Sequence, residues 1–206
     1  ADFRAGGTND VEVYQAYIEA AEMWGYPLRL RIGRQEIQLG SEWLVGNNDT
    51  GSFFRGLSYD GVRLTYATDM FSLDAWAAQL FDEGVVEEDG EGWFYGVYGS
   101  YHGLQDITVD AYWMYVRDPR RLNDTNFLFP AEWIEDALGL DDYDPTTLHT
   151  IGLRGAGTIG AFDFEAEAAF QTGDADQVGF RFKPFIYGDD DAEYSEWAAN
   201  AEVGYT

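Results

Sequence analysis

Cysteine is absent from the 206-residue chain, histidine occurs twice and proline five times. Without Cys there is no disulfide framework, no thiolate metal site and no Cys nucleophile. His102 and His149 alone are too little material for a His-based metal or acid–base centre. Basic residues are scarce as well: 12 Lys+Arg stand against 38 Asp+Glu, a formal charge of −26. A nucleic-acid partner is thereby excluded, because displacing counterions from phosphates takes a basic stripe. An anionic lipid surface recruits a polybasic face, which is also missing. No run approaches 18 apolar residues, so no helical membrane span is expected. The first residues lack the charged and apolar regions of a cleavable leader. The chain is therefore expected to begin as a processed protein or as an internal piece of a longer one. Gly-x-Ser-x-Gly, P-loop and His-Glu-x-x-His patterns are absent, and with so many acids no carboxylate pair stands out as a glycosidase dyad, so no enzyme is expected.

Aromatics, by contrast, are abundant, with 14 Tyr, 14 Phe and 7 Trp making 17% of the chain. Acidic disordered chains are poor in them, so a folded protein is expected. The dominant pattern has period two. Leu28-Arg29-Leu30-Arg31-Ile32 alternates apolar and charged residues, as do Val62–Tyr66, Ile107–Trp113 and Phe162–Ala168. Weaker versions run over Tyr14–Ala20, Phe71–Ala77, Trp93–Tyr101, Ile151–Gly157 and Trp197–Tyr205. This predicts nine strands of roughly 9–12 residues, the length that crosses a bilayer when tilted. One segment, Pro130–Leu140, places Ala131, Ile134, Ala137 and Leu138 at helical spacing and is the single candidate helix.

The connections alternate in length. Short ones lie at Glu22–Pro27, Ala67–Met70, Gly103–Asp106 and Thr158–Ala161, and long ones at 40–55, 82–92, 117–147 and 172–195. An outer-membrane barrel has this rhythm, with short periplasmic turns and long extracellular loops. The fold class expected is therefore all-β, an antiparallel transmembrane β-barrel, with residues 1–206 a portion of one barrel domain. Nine is an odd count, and bacterial barrels close with an even one, so further strands are expected. One strand face is apolar (Leu28, Leu30, Ile32; Phe162, Phe164, Ala166) and the other polar, which suits lipid outside and water inside. A soluble sandwich shows the same alternation with its apolar face turned to a core. Trp24, Tyr26, Tyr66, Phe71, Trp93, Tyr115, Phe170, Trp197 and Tyr205 lie near strand ends, as interfacial girdles do.

Arg29–Gly40, centred on Gly33-Arg34-Gln35-Glu36, resembles the signature strand of the alginate-export family of bacterial outer-membrane barrels. Phe53–Leu64, with Tyr59-Asp60-Gly61-Val62-Arg63, resembles that family's second characteristic stretch, and Gln15-Ala16-Tyr17-Ile18 the strand before the signature. The close match covers residues 11–80. The resemblance implies a Gram-negative outer-membrane channel or porin, a larger barrel, and passive passage of a polysaccharide or small solutes and ions.

Parity places Arg29, Arg31 and Arg63 together as a basic corner of the lumen, suited to carboxylates of an anionic polymer. The same arginines could instead pair with Asp60, Asp74, Glu19 or Glu36 and brace the wall. Asp163, Glu165 and Glu167, with Asp110 and Glu202, form an acidic ladder favouring cations, or simply solvate a wide lumen. That acidity departs from the electropositive conduit implied by the family's eponymous member. The loops hold Glu87-Glu88-Asp89, Asp141-Asp142-Tyr143-Asp144, Asp174-Ala175-Asp176 and Asp189-Asp190-Asp191; calcium is conceivable there, though no EF-hand spacing occurs. No cofactor is otherwise expected. Partners are outer-membrane lipid or lipopolysaccharide and the solute in the lumen. The alternatives are a non-conducting structural or adhesive barrel plugged by Arg117–Thr147, and a soluble acidic calcium-dependent β-sandwich lectin.

Overall fold

The computed structural model describes residues 13–46, 57–82, 91–118, 145–175 and 192–205. They form one nine-stranded antiparallel sheet in chain order. Its strands are β1 Ala16–Ala20, β2 Leu28–Gln35, β3 Tyr59–Ala67, β4 Phe71–Asp82, β5 Glu91–Leu104, β6 Ile107–Asp118, β7 Thr146–Ile159, β8 Phe162–Ala175 and β9 Ala192–Tyr205. Each strand pairs only with its sequence neighbours, so β1 and β9 have one partner each and the sheet is not closed. Among the described residues there is no α-helix; the one helical element is a 3-10 turn at Met23–Gly25. Pro130–Leu140 and most of the acidic loop runs lie outside the described residues.

All four short connections are turns with identifiable local chemistry. Between β3 and β4 the Thr68 hydroxyl accepts from the Phe71 N–H at 3.1 Å while the Thr68 N–H donates to the Phe71 carbonyl at 2.8 Å. Gly160 supplies the left-handed residue of the β7–β8 turn at φ +66°, where a side chain would be strained.

Several strands outrun the apolar alternation seen in the sequence. β7, β8 and β9 each have 14 residues and reach into stretches that read as loop, at 146–147, 172–175 and 192–195. The cause is geometric. At about 3.4 Å per residue and about 40° tilt, 14 residues rise roughly 36 Å, more than an apolar band of about 25 Å. The upper strand ends are therefore free of the apolar requirement while their ladders continue, as Thr172↔Ser195 and Asp174↔Glu193 do.

Register sorts the side chains cleanly. One face carries Ile18, Ile32, Val62, Leu64, Leu73, Val97, Val109, Ile151, Leu153 and Val203, all exposed. The opposite face carries Arg31, Arg63, Thr65, Trp76, Tyr98, Asp110, Tyr112, Arg154 and Glu167, among which Asp110 is only 2% exposed. The first is called the open face and the second the covered face. What covers it is the chain after β2: Ile37 and Leu39 are buried against Tyr59, Trp76, Phe94, Tyr98, Tyr112 and Met114. A water-soluble sheet buries its apolar face and wets its charged one. Here the centre of the charged face is packed, its edges at Arg29, Asp163 and Glu202 are exposed, and the apolar face lies bare.

Candidate functional site

The covered face is built around Arg154 on β7. Its Nη1 donates to Asp110 Oδ2 on β6 at 2.6 Å and its Nη2 to Glu165 Oε2 on β8 at 2.9 Å. Tyr98 and Tyr112 stack at 5.5 Å with planes 6° apart, and their hydroxyls donate to Asp110 and Glu167 at 2.8 and 2.7 Å. Three carboxylates thus surround one guanidinium, leaving local excess negative charge in a poorly solvated place. Asp110 Oδ1, Glu167 Oε2 and Arg154 Nε have no hydrogen-bond partner among the described residues. Polar atoms this buried are ordinarily met by water, so the cluster reads as a hydrated point of the wall.

Glycines make room for the aromatic rings of this wall. Trp76 lies over Gly96, its direct cross-strand neighbour, and Tyr112 lies over Gly152 in the same way. A Cβ at either glycine would occupy ring space.

Residues 36–46 fold back across the cluster. Leu39 N–H donates to Val45 O at 3.1 Å and Glu42 N–H to Leu39 O at 2.9 Å, closing a compact turn. Gly40, at φ +57°, rests against Arg154 and the Tyr98 hydroxyl; a Cβ there would lie 2.9 Å from both. Leu39, Leu44 and Val45 line a narrow crevice with Tyr98, Tyr112, Met114 and Glu167. Residues 36–39 read as the end of the signature stretch and residues 40–46 as the start of a long loop at 40–55; together they form a strap on the covered face, buried at Ile37 and Leu39 and exposed at Gly40, Ser41 and Glu42. The physical reason is a phase change. Apolar residues of β2 fall at 28, 30 and 32, on the open face, whereas Ile37 and Leu39 fall at odd positions and turn the opposite way. That shift was the available signal.

The sequence-selected residues fall as follows. Arg29, Arg31 and Arg63 share the covered face, with Arg31 directly opposite Arg63. The like charges are separated in effect by acids: Arg31 holds Glu19 at 2.7 Å and lies 4.1 Å over the Tyr17 ring, and Arg63 holds Asp74 at 2.9 Å. Thr65 also donates to Asp74. The bracing alternative therefore describes Arg31 and Arg63, while Arg29 makes no ion pair among the described residues. Asp110, Asp163, Glu165, Glu167 and Glu202 also share the covered face, with Glu165 opposite Glu202. Arg154, which sequence reasoning missed, interrupts that series between Asp110 and Glu167. Asp163 and Glu202 make no ion pair among the described residues.

The motif residues converge in one place. Gly33 is opposite Gly61 and Arg34 opposite Asp60, with Arg34 gripping Asp60 through two bonds at 3.0 and 2.6 Å. Gln35 Nε2 donates to the Gly61 carbonyl at 3.2 Å, and Tyr14 donates to Glu36. At Gly33, φ +124° and the adjacent Ala16 carbonyl leave no room for a side chain. The two motif stretches are thus one β2–β3 fastening, sitting where the strap departs.

The open face has two aromatic levels. Near the short turns Tyr66 meets Phe71 at 5.7 Å and Phe162 meets Tyr205 at 5.1 Å. Near the long connections Trp93, Tyr95, Tyr115, Trp113 and His149 form a stacked series. Between the levels no described open-face residue is charged; Arg34, Asp60, Arg117, Asp174 and Glu193 all lie at the loop end. No group of three or more His, Asp or Glu able to hold a metal occurs among the described residues.

The family model for alginate export matches residues 2–206. No curated protein matches the chain.

Proposed function

The chain belongs to the alginate export family, a family of outer-membrane β-barrel transport proteins rather than enzymes, and on that premise we propose that it lines a passive channel for solutes or polysaccharide. The observation that carries this reading is the inverted sheet. Its charged face is packed only at its centre, around Asp110, Arg154 and Glu167, and is otherwise open, with Arg29, Asp163 and Glu202 exposed, while its apolar face is bare between two aromatic levels, the arrangement of a wet lumen and a lipid-facing outside. The same observation speaks against a soluble β-sandwich lectin. In lipid, β1 and β9 both need partner strands, since unpaired backbone groups there are costly.

The covered face is the lumen wall in this reading, and its charges are unevenly spread. On β1–β4 Arg31 and Arg63 are matched by Glu19 and Asp74, and Arg29 is held by no acid among the described residues. On β8 and β9, Asp163, Glu165, Glu167, Glu196 and Glu202 share the covered face with one cation, Arg154, on the neighbouring strand. A wall of this kind draws cations and repels polyanions. Cations or neutral and weakly charged solutes are therefore the preferred cargo, and a polyuronate would pass along the β1–β4 side, where Arg29 is the charge left over. The strap narrows the cross-section beside Arg154.

Single-channel recording in planar bilayers tests this function. Stepwise conductance with a reversal potential favouring cations under a salt gradient is expected. Absence of steps from folded protein would instead support a non-conducting structural or adhesive barrel, and anion preference would return weight to Arg29, Arg31 and Arg63.

A further inference from the structure

Resting on the outer-membrane reading above, a second site lies on the opposite side of the sheet. We propose that the loop end of β5–β7 on the open face binds the phosphorylated sugar headgroup of lipopolysaccharide. Arg117 and His149 act as phosphate donors, and the rings of Trp93, Tyr95, Trp113 and Tyr115 form the surface beneath the sugars.

The rings form a connected raft. Trp93 and Tyr95 are 5.9 Å apart, Tyr95 and Tyr115 6.0 Å, and Trp113 and Tyr115 6.3 Å, with interplanar angles of 18°, 24° and 3°. His149 joins it 4.6 Å from Tyr115. Tyr and Trp present an apolar body with a polar tip, which suits a sugar whose ring is apolar on its face and hydroxylated at its edge. The imidazole has a defined polarity. Trp113 Nε1–H donates to His149 Nδ1 at 3.3 Å, so the ring proton resides on Nε2, a donor pointing away from the Trp.

Arg117 follows Tyr115 on the same face and pairs directly with Trp93 on one side and Thr147 on the other. It is diagonal to His149, a spacing of about 7–8 Å between such positions. A single phosphate can bridge side chains of that reach. In a chain of charge −26, Arg117 makes no ion pair among the described residues, and Asp174, two strands away at its level, does not hold it. Arg34, the other open-face arginine, is taken by Asp60. An arginine held by no described carboxylate at the rim of an apolar band is complementary to an anion supplied by the membrane. The neighbouring aromatic raft selects a sugar phosphate over a glycerol phosphate.

The test uses the full-length protein extracted in detergent, titrated with bisphosphorylated lipid A, its dephosphorylated form and phosphatidylglycerol. Bisphosphorylated lipid A should bind tightest. R117Q/H149Q should weaken that binding by roughly a hundredfold or more, the loss expected for two charge-assisted bonds, and R117K should restore part of it. Channel conductance should not change in either variant, which also reports that they fold. Equal binding of the three lipids, or an unaltered affinity in the folded double variant, overturns the site and leaves the channel reading standing. Protein that stays in the aqueous phase without detergent overturns both.

Discussion

Replacing Arg154 by Met tests whether the covered-face cluster is a buried one. The Arg154 side chain is 13% exposed and Asp110 2%, so the guanidinium's removal strands the Asp110 carboxylate with Tyr98 as its one donor among the described residues. Breaking a buried pair from one side costs about 3–5 kcal/mol, because an uncompensated charge is left behind. Glu165, at 23% exposure, is better hydrated, and its bond adds at most about 1 kcal/mol. R154M should therefore destabilise by roughly 3–4 kcal/mol. The comparison is R34M: Arg34 and Asp60 are 35% and 45% exposed, and such a pair contributes about 0–1 kcal/mol. Adding D110N to R154M removes the stranded charge and should recover at least about half of the loss, with the cycle showing coupling on the order of 2 kcal/mol. Urea midpoints of protein refolded into lipid vesicles, read by tryptophan fluorescence, give these differences. Equal losses in R154M and R34M, or no recovery in D110N/R154M, would refute the reasoning.

Three further outcomes are expected. G40V puts a β-branched residue at φ +57° against Arg154 and Tyr98, so the strap should lift and single-channel conductance should rise; unchanged conductance would mean the strap does not narrow the lumen. L153R places a charge at mid-band on the open face and should cost about 2–4 kcal/mol in bilayers, whereas A156R, on the covered face between Thr108 and Glu165, should be nearly neutral. The same urea titrations read this pair, and similar costs would contradict the assignment of faces. D163N/E202Q removes two covered-face carboxylates that make no ion pair among the described residues and should reduce cation preference in reversal-potential measurements, while stability changes little.

What the sequence disclosed follows from where one physical rule acts alone. β2, β3, β6 and β8 are bare on one side and charged on the other, so alternation names both the strand and its faces; Glu165 and Arg63 fall where parity puts them. Strand ends at Thr146, Ala175 and Ala192 stay hidden because they rise above the band where lipid imposes alternation. The strap escaped notice because Gly40, Gly46 and the asparagines after it read as loop, although the odd positions of Ile37 and Leu39 already point inward. Arg154 was missed for a different reason: a lone Arg among glycines gives no pattern, and its importance comes from Asp110 and Glu165 on two neighbouring strands. The Gly33–Glu36 and Asp60–Gly61 motifs were legible as a pair, but only register shows them to be one fastening.

The lack of cysteine in these 206 residues suits the most direct test of the central claim, since a thiol introduced here is the only one among them. Single cysteines at Asp163 and Glu202 on the covered face, and at Ala166 and Ala201 on the open face, place probes at similar depth with opposite parity. In sealed lipid vesicles, a charged, water-soluble maleimide should label positions 163 and 202 and leave 166 and 201 unreacted, with a lipid-soluble reagent showing the reverse. Labelling of 166 and 201 by the charged reagent, or labelling independent of parity, would contradict a wall with water on its charged side and lipid on its apolar side.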